Sequence, residues 1–282
     1  MTDHNRQKKI ALISDITGFG RCAFTVQLPV ISMLRVQCCP VPTAILSNHT
    51  AFESHYMADF TPHMEEYIEQ WKKLDLQFSG ICTGFLGSSE QIRIVRRFIE
   101  DFRSRNTIVI VDPVMGDNGK AYKTCTEDIC SGMAELVRHA DITLPNVTEA
   151  CILTGRKYKE RWRIAELLEM ARQIAALGPG KVVITGIPQG SFIANFCYQK
   201  NGSDDFYSIV KAEKVGTSRF GTGDIYSAII SADAVNGVPL ERSVRRASSF
   251  IKKCIIRSGE MDIPLTDGVC LEEVLHLLRY EG

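Results

Sequence analysis

Four consecutive residues, Gly221-Thr222-Gly223-Asp224, carry the sharpest chemical signal in the chain. The glycines allow a tight turn and close approach of a ligand, and an apolar helical run begins directly afterwards, around Ile225. Unpaired N–H groups at such a helix start can stabilise charge building on a transferring phosphoryl group. Asp224 can then orient an attacking hydroxyl and accept its proton; the bland alternative is an acid that offsets the helix dipole. A free Asp has a pKa of about 3.9, against about 15.7 for a water-like hydroxyl, so deprotonation before attack is very unfavourable. Proton transfer must accompany phosphoryl transfer.

Asp112-Pro113-Val114-Met115-Gly116-Asp117 is the second informative segment. Either carboxylate could position a hydrated cation near phosphate, and a solvated turn is the alternative. Asn146 and Glu149 share a face if they lie in one helical turn, where they could organise water around Mg-ATP or simply cap a helix. Ser14 and Thr50 could hydrogen-bond a polar ring and Phe85 could cover its face; capping and core packing explain the same residues.

The elements that must carry these groups alternate. Lys9–Ser14 resembles a buried strand, Ala23–Leu34 a helix shortened or made irregular by Pro29, and Val36–Cys39 a second strand, with apolar residues resuming at Thr43–Ser47 after two prolines. Glu65–Leu74 and Ser88–Arg105 read as helices, Ile81–Cys82 and Thr107–Val111 as strands, the latter delivering Asp112. Then follow a helix over Glu127–His139, a strand over Ile142–Leu144, a helix over Ile164–Leu177 and a strand over Lys181–Thr185. Gly190–Cys197 and Phe206–Val210 could pair across Asn201-Gly202. Leu240–Cys254 is a further helix, and Val269–Tyr280 is apolar enough to dock as one. Alternation of this kind favours an α/β fold, a mainly parallel sheet covered on both faces. With no linker or composition break, residues 1–282 read as one domain.

Composition excludes several classes. Lys plus Arg and Asp plus Glu are both 33, which argues against a nucleic-acid binder needing a strongly basic face. Arg242, Arg245 and Arg246 read as a solvated helix face, and no segment offers a membrane span or convincing signal peptide. The ten cysteines lack Cys-x-x-Cys spacing and read as free thiols of a reducing compartment, so a cytoplasmic location is expected. No P-loop or His-x-x-x-His pattern is present.

Taken in order, Ser47-Asn48-His49-Thr50, Asp112 through Gly119, Pro145-Asn146 with Glu149, and Gly221 through Asp224 make the chain resemble the pyridoxal, pyridoxine and pyridoxamine kinase group of the ribokinase-like (PfkB) superfamily, over roughly residues 9–258. The resemblance implies a three-layer α/β/α fold, usually a homodimer, that uses ATP and Mg²⁺, with a monovalent cation such as K⁺ as a further candidate, to phosphorylate a hydroxymethylpyridine. By it, Ser14, Thr50 and Phe85 would contact the acceptor. Asp112, Asp117, Asn146 and Glu149 would support the phosphate and cation network, with Asp112, Asp117 and Glu149 near metal, directly or through water. Thr185 and Thr222 would hold nucleotide phosphates, with Asp224 as base. Two departures stand out: Leu144 replaces a common threonine, and the opening loop carries Asp15 and Phe19. A hydroxymethylpyrimidine kinase of thiamine biosynthesis is the nearest alternative, and a non-catalytic nucleotide- or vitamin-binding protein a more distant one.

Overall fold

A computed structural model describes residues 3–202 and 204–279. In chain order its elements are β1 (Lys9–Phe19), α1 (Phe24–Met33), β2 (Gln37–Asn48), β3 (Met57–Asp59), α2 (Thr61–Lys73), β4 (Gly80–Thr83), α3 (Ser89–Phe102) and β5 (Ile108–Val111). A small ribbon, β6 (Gly116–Asp117) and β7 (Lys120–Ala121), follows, then α4 (Glu127–Arg138), β8 (Ile142–Thr143), α5 (Val147–Thr154) and α6 (Ile164–Leu177). β9 (Lys181–Gln189), β10 (Phe192–Asn201), β11 (Asp204–Glu213), α7 (Thr222–Val235) and α8 (Leu240–Glu260) complete the set.

Nine strands form one sheet in the order β11-β10-β9-β8-β5-β4-β1-β2-β3. From β9 to β2 all pairings are parallel, while β3, β10 and β11 add antiparallel edges. The unbroken apolar run Ile10–Ile13 now has its cause. Ile10 and Leu12 pack on one face with α1, α7 and α8, while Ala11 and Ile13 pack on the other with α2 to α6, so successive side chains are all buried. The two apolar cores make a three-layer α/β/α molecule.

Four expectations are corrected. β2 is one continuous strand through Pro40 and Pro42, because those prolines lie where β2 has no outer neighbour and no ladder donor is missed. α1 runs through Pro29, since the wholly buried Val26, Val30 and Ile31 hold the helix against β1 and α7. Within Val269–Tyr280, Tyr280 lies outside the described residues and the rest forms only a short 3₁₀ turn at Leu275–Leu277. Its backbone donors go to tertiary partners instead, Val269 N–H to Phe220 O and Cys270 N–H to Ser258 Oγ, while Val269, Leu271 and Leu278 still dock in the core. Cys125 and Cys130 are joined as a disulfide; Cys125 lies just before the N-cap of α4 and Cys130 within the helix, with Cα atoms 6.0 Å apart, and the other eight cysteines are free.

Candidate active site

β1 pairs with β2 on one side and β4 on the other, so the chain's direction of growth across the sheet reverses there. In open α/β sheets the crevice beyond the strand ends at such a reversal is the usual ligand position. β1 carries a register shift between Ser14 and Ile16. The extra residue lies in β2, where Thr43 and Ala44 stand opposite Asp15, a buried acid that accepts hydrogen bonds from Thr17 Oγ1 at 2.6 Å and Ser14 Oγ at 3.5 Å. Burial raises the Asp15 pKa despite both hydroxyls. Ser14 is itself buried and packs beside Gly84, the residue that follows β4.

The Gly221 turn begins α7. Gly221 has φ 85° and its Cα faces the carbonyl oxygen of Arg21 so closely that no side chain fits. Asp224 therefore enters in the first turn of α7, partly buried, with the Ala23 amide donating to its carboxylate. Burial raises its pKa to about 6, the Ala23 bond opposing the shift and the Asp15 charge adding to it. The Thr222 hydroxyl donates back to Arg219 O at 3.1 Å.

Asp112 leaves β5 and faces both Glu149 and Asp224; its pKa is raised well above the carboxylate range by burial first and by those two acids second. Asn146 and Glu149 form a reciprocal cap on α5, a helix the periodicity missed because it is short and almost wholly buried. Glu149 also accepts from Met115 N at 3.1 Å, and Asn146 Nδ2 donates to Gly116 O at 2.8 Å, so the cap ties the Asp112–Gly119 segment down. Burial raises the Glu149 pKa against the pull of the amides it accepts from. Thr185 bridges to Asn146 on the neighbouring strand path, and its N–H donates to Pro145 O at 2.9 Å.

The remaining expected residues are less tightly gathered. Asp117 is exposed on the β6–β7 ribbon, bonded to Asn118. Asp112, Asp117 and Glu149 do not converge as direct metal ligands: no cluster of three acidic, His or Cys residues suited to a metal occurs among the described residues. Both Glu149 oxygens already accept backbone amides, so a cation held through water fits this donor set better than direct ligation by all three. Thr50 is exposed and Phe85 half-buried beside Gly87. His49, between Thr50 and Asn48, contacts Phe220 with ring centroids 4.2 Å apart and hydrogen-bonds Thr266 O at 2.6 Å, which links the Ser47–Thr50 segment to the Gly221 turn. Leu144 is buried in the core, leaving no polar group at that position.

Sequence reasoning missed Asp15 as a site acid and passed over Cys22 and Tyr122. Burial and then the Asp224 and Asp15 charges push the Cys22 thiol up; burial and then four carboxylates, Asp117, Glu149, Asp112 and Asp224, do the same to the Tyr122 phenol. Asp15 ends an apolar run as Asp112 does, a signal that was available; Tyr122 reaches the acids only through the ribbon's fold.

A doubly covered parallel sheet whose strand ends gather buried acids beside a glycine-bounded helix start defines the ribokinase-like class of α/β proteins. Among solved structures, pyridoxal kinase from Lactobacillus plantarum shares the fold with a TM-score of 0.88 at 24% identity, covering 96% of each chain. The chain belongs to the phosphomethylpyrimidine kinase family, which it matches over residues 26–265, and is a kinase by that membership. It is 31% identical over 226 residues to the pyridoxine/pyridoxal/pyridoxamine kinase of Bordetella avium, spanning 76% of this chain and 73% of that protein. A Bacteroides thetaiotaomicron protein named as a candidate phosphomethylpyrimidine kinase, in a crystal form with pyridoxal, is 36% identical with a TM-score of 0.93, over 97% of this chain and 96% of that one.

Proposed function

We propose that the protein phosphorylates the hydroxymethyl group of a vitamin B6 vitamer (pyridoxal, pyridoxine or pyridoxamine) with ATP, as one kinase domain that salvages pyridoxal 5′-phosphate. One observation carries the reading: Asp224 projects from the first turn of α7, behind a side-chain-free turn at Gly221, within electrostatic reach of the half-buried acid Asp112. In this reading the acceptor hydroxyl meets Asp224, whose pKa near 6 narrows the mismatch with an alcohol while leaving the carboxylate ionised at neutral pH. The amides of the Gly221–Gly223 turn donate to oxygens of the phosphoryl group in flight. Ser14, Thr50 and Phe85 orient the ring, and Asn146, Thr185 and Thr222 hold nucleotide phosphates. Asp112, Glu149 and the more distant Asp117 hold Mg²⁺, wholly or partly through water, and a monovalent cation such as K⁺ suits the same acid-rich ground. A bound cation supplies charge neutralisation at the phosphates. The mutual repulsion of Asp112, Glu149 and Asp224 is the property that suits this ground to a cation.

The vitamer reading draws support from the Bordetella relative's activity and from the Bacteroides relative crystallised with pyridoxal. A second reading, phosphorylation of hydroxymethylpyrimidine, draws support from the phosphomethylpyrimidine kinase family and from relatives named hydroxymethylpyrimidine/phosphomethylpyrimidine kinase. A competition assay with Mg-ATP, the three vitamers and hydroxymethylpyrimidine, read by product mass spectrometry, separates them. Dominant vitamer phosphate is expected; exclusive pyrimidine phosphorylation selects the second reading, and inactivity toward all four points to a binding protein. A cytoplasmic homodimer belongs to the same proposal, and sedimentation across a concentration series tests the dimer. No helix among the described residues is long and apolar enough to cross a membrane.

A further inference from the structure

The opposite end of the central strands, where β5, β8 and β9 begin, holds a cavity of about 510 Å³ that the chemistry above leaves unused. Its walls carry Arg105 from the loop before β5, Lys181 from the first position of β9 and Lys200 from β10. Among the described residues none of these three cations has a carboxylate within ion-pair distance; Lys200 is felt by Asp205 across the β10–β11 pair without joining it. The one acid on the wall, Asp141, is engaged elsewhere: Oδ1 accepts from Arg103 at 2.8 Å and Oδ2 from Val109 N at 2.7 Å.

The helix α8 starts in the same cavity, and no side chain caps it. Its first-turn amides lack helical acceptors and present partial positive charge. Glu241 in that turn is turned to Arg245. One turn in, Ser243 also lines the cavity; it is 2% exposed and its Oγ makes no hydrogen bond of normal geometry, although it lies near enough to Asp233 to steady that carboxylate. The lining is mixed, with Ile142, Ile230 and Leu240 supplying apolar surface beside the polar groups.

We infer that this cavity is a second binding site, remote from the acid cluster, for a small phosphomonoester with an apolar body. Three unpaired cations from separate segments, together with helix amides, match a dianion better than a single carboxylate. The volume is in the range of small-molecule sites, and Ile142, Ile230 and Leu240 offer apolar contact to the body of the ligand.

Phenyl phosphate is the probe, titrated calorimetrically against the whole protein with the catalytic centre saturated by a non-hydrolysable ATP analogue and acceptor. Saturable binding that weakens with salt, exceeds that of inorganic phosphate, and falls at least tenfold in the double variant Arg105→Gln, Lys200→Gln is expected. Both side chains are exposed, so the fold should persist, and an unchanged thermal transition and unchanged phosphate-free turnover would verify it. Ser243→Ala should weaken the probe several-fold. The inference is overturned by absence of saturable binding, by equal affinity in the double variant, or by displacement of the probe when the catalytic centre is filled.

Discussion

Asn146 and Glu149 cap each other across the first turn of α5: Asn146 Oδ1 accepts from Glu149 N at 3.0 Å, and Glu149 Oε2 accepts from Asn146 N at 2.8 Å. Glu149 Oε1 meanwhile takes the Met115 amide, so one buried carboxylate joins a helix start to the segment that carries Asp112. Glu149→Ala leaves two buried amides without their acceptor and should cost about 1–3 kcal/mol of stability. Glu149→Gln keeps one acceptor oxygen and should cost less, while removing the charge that helps raise the Asp112 pKa. Denaturant unfolding of the pair, compared with their phosphoryl-transfer rates, checks both effects.

Gly221→Ala should damage stability and turnover together. The left-handed backbone at φ 85° disfavours a side chain by roughly 1–2 kcal/mol, and the Arg21 carbonyl occupies the space a Cβ needs. Relief of that clash must shift the turn that sets Asp224 and its neighbouring amides, so a loss of at least about tenfold in kcat is expected. Normal turnover in a folded Gly221→Ala protein would show that the turn does not position the reacting groups.

Asp233 tests the electrostatics away from the site. The sequence placed Arg246 on a solvated face, but its Nη1 meets the wholly buried Asp233 Oδ1 at 2.6 Å. Burial raises the Asp233 pKa and Arg246 is the first influence holding it down. Arg246→Met strands that carboxylate and should cost roughly 3–5 kcal/mol at pH 8. Without its partner the acid's pKa rises further, so the cost should shrink as pH falls and the carboxyl takes a proton. A cost independent of pH in urea melts would rule out an uncompensated charge as its cause.

What could be read from the chain divides along physical lines. Ile10–Ile13 and Thr107–Val111 were legible as strands because burial on both sheet faces forces unbroken apolar runs, and the Gly221 turn because glycine alone tolerates its backbone. α5 was not, since a short helix with no exposed face has no amphipathic period. Asp15 depends on a bulge, Tyr122 on a two-stranded ribbon, and the partner of Arg246 on a helix pairing, all set by tertiary structure rather than local spacing.

Asp224 is where the chemistry and the stability of the molecule should pull apart. A protonated Asp224 cannot accept the acceptor's proton, so kcat/KM should fall about tenfold per pH unit below pH 6 and level off above it, following the raised pKa. Asp224→Asn keeps the shape and should lower turnover by roughly 10²- to 10⁴-fold, about 2.7–5.4 kcal/mol of transition-state stabilisation, and erase that acid limb. Stability should move the other way. The folded pKa of about 6 lies above the unfolded value of about 3.9, so between those pH values the native state binds more protons and loses stability as pH rises. Asparagine carries no such charge, so the variant should gain about 1–3 kcal/mol on the parent between pH 4 and pH 7, with the gain already complete near pH 7. Paired thermal melts across that range, with binding of ATP and acceptor measured directly, decide the matter. A variant that binds both ligands and turns over like the parent would remove Asp224 from the chemistry, and a stability difference flat in pH would show that its burial does not strain the charged form.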